Sequence, residues 1–207
     1  AFAIVPNTRS FLAHASSRIH RDPSQQLHIV AVTGTNGKTT VSHMIGQLLT
    51  FIGYRTAVIG TLGLYVNGEK ITEKFPSLTT WSATHLHHTL AKLLAMNVTH
   101  VIIEASSMGL AQHRLDHCSI QQGVFLNIGH DHLEDHKGID AYKKAKCKLL
   151  YLSKKIVVNE DDPFWFKKAK ESHIETKWFG KKQLVLEELK PLSMKLKLKV
   201  NERDHSF

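Results

Sequence analysis

The chain has few of the residues that mark secreted or membrane proteins. It contains two cysteines among 207 residues, Cys118 and Cys147, too few for the disulfide framework of a small secreted domain or for a cysteine-based metal site. It also has no apolar run of about 18 residues, so the sequence predicts no transmembrane helix. We therefore expect a protein of the reducing cytoplasm that has no membrane partner.

The start of the chain lacks an initiator methionine. Residues 1–6 are also too short, and contain no basic residue, for a secretory signal peptide. These absences indicate that the sequence begins part-way through a longer protein. We expect residues 1–22 to be a linker and helix that follow a missing N-terminal domain.

The net charge of +9 is not concentrated in one tail. Residues 1–103 contribute +5 and residues 104–207 contribute +4. A spread of this kind gives little support for a nucleic-acid partner, whereas a polyanionic small substrate such as a nucleotide or nucleotide-sugar would be attracted by it. We expect small-molecule partners, no nucleic acid, and a monomer.

One glycine-rich segment follows a predicted strand directly and opens a predicted helix. Residues 27–32 are apolar, and residues 41–49 carry apolar side chains at three- and four-residue spacing, as a buried strand and an amphipathic helix do. Glycines let backbone N–H groups approach phosphate oxygens, and a helix N-terminus favours an anion. The segment predicts an ATP site formed by Gly34, Thr35, Asn36, Gly37, Lys38, Thr39 and Thr40.

Two side chains of this loop suit a nucleotide phosphate and its metal ion. Lys38 is placed to contact the β- and γ-phosphates, and the Thr39 hydroxyl is placed to bind Mg²⁺. Only two residues separate Gly34 from Gly37, fewer than in the standard phosphate-loop pattern, so a plain strand-to-helix turn is the alternative interpretation. ATP and Mg²⁺ are the cofactors that the loop predicts.

Strands alternate with helices along most of the chain. This order predicts an α/β fold with a doubly wound, mostly parallel sheet. Asn67-Gly68 predicts a hairpin, Thr80 is a candidate helix cap, and the alternating residues 194–200 predict an antiparallel strand. We expect strands at residues 27–32, 54–60, 98–103, 123–128 and 156–159, and helices at 8–20, 81–95, 141–152 and 164–171.

Polar side chains follow several of the predicted strands. Glu104 ends a buried strand, where its carboxylate could bind Mg²⁺ directly or cap a helix. His130, His132 and His136 could bind zinc if taken alone, but the phosphate loop favours Mg²⁺ with oxygen ligands. Because the lysines of residues 143–148 cannot all share one helix face, one of them could turn inward.

These motifs occur in an order that resembles the Mur ligase family. They are Gly-Thr-Asn-Gly-Lys-Thr-Thr, Gly-Thr-Leu-Gly, Thr-Thr, Glu-x-Ser-Ser-x-Gly-Leu-x-Gln-x-Arg, Asn-x-x-x-Asp-His-Leu and Tyr-x-x-Ala-Lys. The resemblance spans about residues 6–165 and is greatest to the UDP-N-acetylmuramoyl-tripeptide synthetase branch. It implies an ATP-dependent acid–amino-acid ligase of peptidoglycan precursor synthesis, working through an acyl phosphate. It also implies that residues 23–207 are the central ATP-binding domain, truncated before an amino-acid-binding domain.

The resemblance assigns roles residue by residue. The catalytic set is Lys38, Glu104, His132 and Lys146. The implied Mg²⁺ ligands are Thr39, Glu104, His132 and Lys146, the last as a carbamate. Asn127 lies at the nucleotide end, and the UDP-sugar peptide is contacted by Thr79, Thr80, Ser106, Gln112 and Arg114.

Three residues near the implied sugar-peptide pocket differ from those common in the branch. They are Leu78, Trp81 and Met108, so the sequence does not define the acceptor or the amino acid. Another amide ligase of the superfamily, similar to cyanophycin or folylpolyglutamate synthetases, is one alternative. An inactive nucleotide-binding module is the other, and we expect this chain alone to make no amide bond.

Overall fold

The computed structural model describes residues 4–129 and 138–181, and the backbone of three further strands beyond them. The helices are α1 (Thr8–Ile19), α2 (Lys38–Phe51), α3 (Ala83–Ala95), α4 (Ser107–Ala111), α5 (Ile139–Leu152) and α6 (Pro163–Ser172). The first eight strands are β1 (His28–Thr33), β2 (Thr56–Gly60), β3 (Gly63–Val66), β4 (Glu69–Lys70), β5 (His100–Glu104), β6 (Ile120–Phe125), β7 (Ser153–Asn159) and β8 (Thr176–Phe179).

Eight strands form one mixed sheet in the order β4-β3-β2-β5-β1-β6-β7-β8. The six strands from β2 to β8 in this order pair in parallel, and the β3–β4 hairpin adds an antiparallel edge. β1 lies at the centre, with Val32 opposite Glu104 of β5 and Val124 of β6. The predicted doubly wound sheet and the hairpin are therefore confirmed.

The two faces of the sheet are covered unequally. One face packs against a large cluster that includes Leu86 of α3, Leu149 of α5 and Trp165 of α6. The other face carries a smaller cluster around Val32 and Ile102, against which α2 packs. The connections to α2 and α5 therefore run over opposite faces, as in a doubly wound fold.

Several sequence-based boundaries were wrong: β6 begins at residue 120 rather than 123, and β7 at residue 153 rather than 156. In two further cases a polar side chain explains the difference. Thr80 does not cap α3; that helix starts after Ser82, and the Thr80 hydroxyl donates instead to the Glu104 carbonyl at 2.7 Å. β6 ends at Phe125 rather than residue 128, because Asn127 pairs with the loop after β1 rather than with a strand. Strand β8 and helix α4 were missed.

The last described strands are β9 (Leu184–Lys190), β10 (Ser193–Val200) and β11 (Arg203–Ser206). They pair antiparallel in a second sheet with β10 at its centre, so the prediction of an antiparallel strand at residues 194–200 is confirmed. Among the residues that the structure describes, no helix is both long enough and apolar enough to cross a bilayer.

Candidate active site

The glycine-rich loop lies where the direction of the chain connections reverses. From β1 the chain passes through α2 to β2, whereas from β6, the neighbour of β1 on the other side, it passes through α5 to β7. Connections that leave adjacent parallel strands in opposite directions open a crevice at their carboxyl ends. The loop of residues 34–37 and the turn of residues 126–129 border this crevice.

The loop has the conformation that a phosphate site needs. Gly37 has φ 85°, in the left-handed region, immediately before α2 begins at Lys38, and glycine takes this conformation without steric cost. The Thr35 N–H donates to the Asn127 carbonyl at 2.9 Å. The Asn36 N–H donates to Asn127 Oδ1 at 3.0 Å, and Asn127 Nδ2 donates to the Asn36 carbonyl at 3.1 Å. Asn127 thus fixes the loop. The first N–H groups of α2, which follow the loop, have no intrahelical acceptors and can therefore bind an anion.

Two lysines meet at the carbonyl oxygen of Gly34. Lys38 Nζ donates to it at 2.9 Å and also to the Thr35 carbonyl at 3.0 Å. Lys146 Nζ reaches the same oxygen from α5 at 2.6 Å. Lys146 is only 1% exposed, and its Nζ lies 4.9 Å from the centre of the Tyr142 ring. One lysine of residues 143–148 therefore does turn inward, and its Nζ lies at the loop of residues 34–37.

On the other side of β1, Glu104 is fully buried. Its Oε2 accepts a hydrogen bond from the Thr39 hydroxyl at 2.8 Å. Its Oε1 accepts from the Thr61 N–H at 3.0 Å, and the Thr61 hydroxyl lies 3.1 Å from Oε2. Helix α4 is capped by Ser106, so the alternative in which Glu104 caps a helix is wrong.

Gly60 makes room for the Glu104 carboxylate. A Cβ at residue 60 would lie 2.0 Å from Oε1 and 2.5 Å from Cδ of Glu104. These distances are far shorter than any non-bonded contact between such atoms. The glycine that ends β2 is therefore required for the carboxylate to occupy its present position.

The oxygen atoms at this position suit a hard divalent cation. Glu104 offers a carboxylate and Thr39 a hydroxyl, the oxygen ligands that Mg²⁺ prefers, and Thr39 lies in the first turn of α2. The described residues contain no cluster of three or more His, Cys, Asp or Glu side chains with metal-binding geometry. His130, His132 and His136 lie outside the described residues, so the zinc alternative and the role of His132 stay predictions.

The residues predicted to contact the sugar peptide form a chain of hydrogen bonds that leads away from Glu104. Thr79 Oγ1 lies 3.1 Å from the Thr61 hydroxyl, and Thr80 Oγ1 accepts from the Ser106 N–H at 2.8 Å. Arg114 Nη1 donates to the Thr80 carbonyl at 2.6 Å, and Nη2 donates to Gln112 Oε1 at 2.7 Å.

Burial and the nearby charge of Arg9 lower the pKa of the Arg114 guanidinium from its usual value. A guanidinium remains charged in proteins even when its pKa falls. Arg114 can therefore orient the segment beside Glu104 and still attract an anion.

The structure brings the described members of the predicted site to one edge of the sheet, and it also shows the surroundings of Thr40 and of the three residues that differ from those common in the branch. Thr40 is exposed on the first turn of α2, and Leu78 is 39% exposed on the loop before α3. Trp81 is fully buried and stacks on Phe75 with ring centres 4.9 Å apart. Met108 is half-buried at the start of α4.

Sequence reasoning missed Thr61 and Tyr142. Thr61 holds both oxygens of Glu104, and its signal was the Gly-Thr-Leu-Gly motif at the carboxyl end of β2. Tyr142 OH lies 2.7 Å from the Thr35 hydroxyl, and its signal was a tyrosine one helical turn before Lys146. Neither signal identifies the partner, because the partners lie on other segments.

A comparison with protein families decides the classification. The family described as the Mur ligase middle domain matches residues 32–206. The chain belongs to the Mur ligase family. The resemblance inferred from the ordered motifs is thereby confirmed.

Named relatives and a solved structure agree with this classification. The chain is 38% identical over 158 residues to UDP-N-acetylmuramoyl-L-alanyl-D-glutamate--2,6-diaminopimelate ligase 2 of Clostridium acetobutylicum, covering 76% of the chain and 33% of that protein. It is 35% identical over 184 residues to the corresponding ligase of Aquifex aeolicus, covering 86% and 37%. A solved structure of such a ligase matches with a TM-score of 0.80 and 28% identity, covering 99% of the chain and 44% of that structure.

Folylpolyglutamate synthase of Mycobacterium tuberculosis also matches, with a TM-score of 0.70 over 91% of this chain and 51% of that structure, but at 14% identity. That similarity shows the shared fold alone. The chain spans about a third of the length of the two curated relatives. The named relatives favour the muramyl branch over the other amide ligases.

Proposed function

We propose that this chain is the ATP-binding part of a ligase that joins an amino acid to a UDP-N-acetylmuramoyl-peptide in peptidoglycan precursor synthesis. The observation that carries the proposal is the convergence of Lys38, Thr39 and Glu104 at one edge of the sheet. The curated relatives are named as 2,6-diaminopimelate ligases of UDP-N-acetylmuramoyl-L-alanyl-D-glutamate. We propose the same substrates, and a cytoplasmic location, for the protein to which the chain belongs.

The proposed reaction has two steps. The γ-phosphoryl group of ATP moves to a carboxylate oxygen of the peptide, and ADP leaves. The amino-acid nitrogen then attacks the activated carbonyl carbon, so that an amide forms, phosphate leaves and the nitrogen loses a proton. Lys38 and the N-terminus of α2 offset the negative charge of the phosphates, which spreads over the phosphoryl oxygens during transfer.

Magnesium fits the donor set that flanks the phosphate loop. Thr39 and Glu104 would hold it, together with His132 and, in the complete protein, a carbamylated Lys146. When bound, Mg²⁺ neutralises phosphate charge. The Thr61 N–H and hydroxyl orient the Glu104 carboxylate toward the loop, and Asn127 holds the backbone on which the phosphates would rest.

The polar chain beyond Glu104 supports an anionic peptide substrate. Arg114 supplies a fixed positive charge, while Thr79, Ser106 and Gln112 supply hydroxyl and amide groups on neighbouring segments. The carboxylate that receives the phosphoryl group would then lie between these residues and the phosphate loop. We propose that this chain binds the nucleotide but makes no amide bond by itself.

Isothermal titration calorimetry of this chain with ATP and Mg²⁺ tests the nucleotide site. Lys38→Ala should weaken binding by roughly 100-fold or more, since it removes a charged contact to phosphate. Lys38→Arg should also fail, because a planar guanidinium cannot replace a compact ammonium in a tight loop. Lys144→Ala, at an exposed lysine of α5, is the matched control. An unchanged affinity in Lys38→Ala would remove the phosphate-loop assignment.

A further inference from the structure

Two buried hydroxyl groups meet beneath the phosphate loop. Thr35 Oγ1 and Tyr142 OH are 2.7 Å apart, and the two residues are 6% and 1% exposed. The Gly129 N–H donates to the same Thr35 oxygen at 2.7 Å. A hydroxyl can accept two hydrogen bonds and donate one. The Thr35 side chain therefore forms both contacts at once.

These contacts join three separate segments. Thr35 belongs to the phosphate loop, Gly129 to the turn after β6, and Tyr142 to α5. Lys146, one helical turn after Tyr142, donates to the carbonyl of Gly34. Helix α5 thus contacts two consecutive residues of the loop, one through a backbone carbonyl and one through a side-chain hydroxyl.

The turn after β6 is also held from its far side. Asn159 Nδ2 donates to the Leu126 carbonyl at 2.9 Å. Asp162 Oδ2 accepts from the Ile128 N–H at 2.8 Å, while its Oδ1 caps α6. Because β7 and α6 fix the turn, a loop bound to the turn is fixed relative to the whole sheet.

We propose that Tyr142 is a positioning residue for nucleotide binding, which acts through Thr35 to hold the phosphate loop against the turn at residues 126–129. The inference rests on the proposed function, because its effect is on the affinity for ATP. Backbone N–H groups bind phosphate well only when their directions are set before binding. Without the Tyr142 hydroxyl, part of the ordering of the loop would take place during binding and would lower the affinity.

The test compares single hydroxyl deletions in this chain by calorimetry with ATP and Mg²⁺. Tyr142→Phe keeps the buried ring and removes one oxygen, and it should weaken ATP binding roughly 5- to 10-fold, as expected for one buried hydrogen bond. Tyr151→Phe on the same helix, at a residue that is 81% exposed, should leave the affinity unchanged.

The Thr35 variants separate positioning from general destabilisation. Thr35→Val should weaken ATP binding at least as much as Tyr142→Phe, whereas Thr35→Ser keeps the hydroxyl and should restore most of the affinity. The double variant Thr35→Val/Tyr142→Phe should lose less affinity than the sum of the two single losses, because both substitutions remove the same contact between the two hydroxyls. Fully additive losses would contradict action through Thr35.

Hydrogen exchange of the Gly129 amide, measured by NMR without nucleotide, provides a readout independent of ATP. We expect exchange to be roughly 10-fold faster in Tyr142→Phe than in the wild-type chain, since each lost hydrogen bond lowers local protection. Unchanged exchange overturns the inference. If the wild-type chain binds ATP and Tyr142→Phe binds it equally well, the inference is also overturned. If the wild-type chain binds no ATP, the proposed function fails and the positioning role fails with it; exchange then reports only a structural contact.

Discussion

Glu104 and Lys146 lie on opposite sides of the central strand and are almost completely buried, with 0% and 1% exposure. The carboxylate accepts hydrogen bonds from the Thr39 hydroxyl and the Thr61 N–H, both of them neutral donors. The ammonium donates to the Gly34 carbonyl and lies over the Tyr142 ring. Burying either charge without such contacts would be costly.

The contrast indicates different tasks for the two sides. The Thr39 and Thr61 hydroxyl oxygens beside Glu104 could bind a cation together with its carboxylate, so this side suits a metal ion. The described contacts of Lys146 include the Gly34 carbonyl of the loop and the Tyr142 ring of the helix beneath it, so this side helps to determine the shape of the loop. Substitutions on the Glu104 side should therefore alter metal dependence, and substitutions on the Lys146 side should alter nucleotide affinity.

The largest expected effect is a loss of stability caused by a steric clash with Glu104. In Gly60→Ala the new Cβ would overlap the Glu104 carboxylate, and we expect a loss of about 3 kcal/mol in the free energy of unfolding, as for an overpacked core. Urea denaturation measures it. The compensating variant Gly60→Ala/Glu104→Ala removes the overlap and should recover much of the stability without recovering Mg²⁺ binding. A stable single variant would contradict the close approach.

Glu104→Gln removes the negative charge of the Glu104 side chain while keeping its size and shape. The ratio of ATP affinities with and without Mg²⁺ should fall by roughly 100-fold, the upper range for losing a group that supports a metal site. The control in the same calorimetric series is Glu160→Gln, which makes the same change at the residue after β7 and should keep the Mg²⁺ dependence of the wild-type chain. A Mg²⁺ dependence equal to that of the wild-type chain would place the metal elsewhere.

His87 is a third buried titratable group, but unlike Glu104 and Lys146 it lies away from the loop of residues 34–37 and is held in its neutral form. Burial lowers the pKa of its imidazole to about 4. The unfolded state, with a pKa near 6.5, then binds more protons between about pH 6.5 and pH 4, so folding stability falls as the pH falls through this range. We expect a loss of about 2 kcal/mol between pH 7 and pH 5 from this residue.

Urea denaturation of His87→Gln at both pH values checks that prediction. The variant should lose less stability on acidification than the wild-type chain, whatever its stability at pH 7. His88→Gln, at the exposed neighbour on α3, should keep the wild-type pH dependence. Equal pH dependence in all three proteins would show that His87 does not contribute.

The smallest expected effect is on the Lys146 side. Lys146→Met keeps the length of the side chain and removes its hydrogen bond to Gly34, so ATP affinity should fall roughly 5-fold. The ratio of affinities with and without Mg²⁺ should stay close to that of the wild-type chain. A collapse of this ratio would instead indicate that Lys146 binds the metal, as a carbamate would, already in this chain.

Local patterns predicted much of this architecture. Glycine spacing identified the glycine-rich turn that opens α2, alternation of strands and helices identified the parallel sheet, and Glu104 was expected at the carboxyl end of a buried strand. One lysine of residues 143–148 was expected to turn inward. These predictions succeeded because each depends on the periodicity or order of neighbouring residues, which folding does not change.

The misses share a different cause. Thr80 was expected to cap the helix that follows it, but its hydroxyl donates to the backbone carbonyl of Glu104 at the end of β5. The importance of Thr61, Tyr142 and Asp162 likewise depends on partners that are distant in the chain. Sequence patterns show that such side chains can form hydrogen bonds but not which groups they meet.

The sequence by itself determined the fold class, the family and the glycine-rich turn before α2, because glycines, apolar periodicity and ordered motifs express these within short segments. Only the tertiary structure decided which groups hold the two buried charges. The pairing of β1 with β5 and β6 places Glu104 and the turn of residues 126–129 on either side of the loop, and the packing of α5 places Lys146 beneath it. Hydrogen bonds act over about 3 Å, so strand register and helix rotation had to be known before these partners could be named.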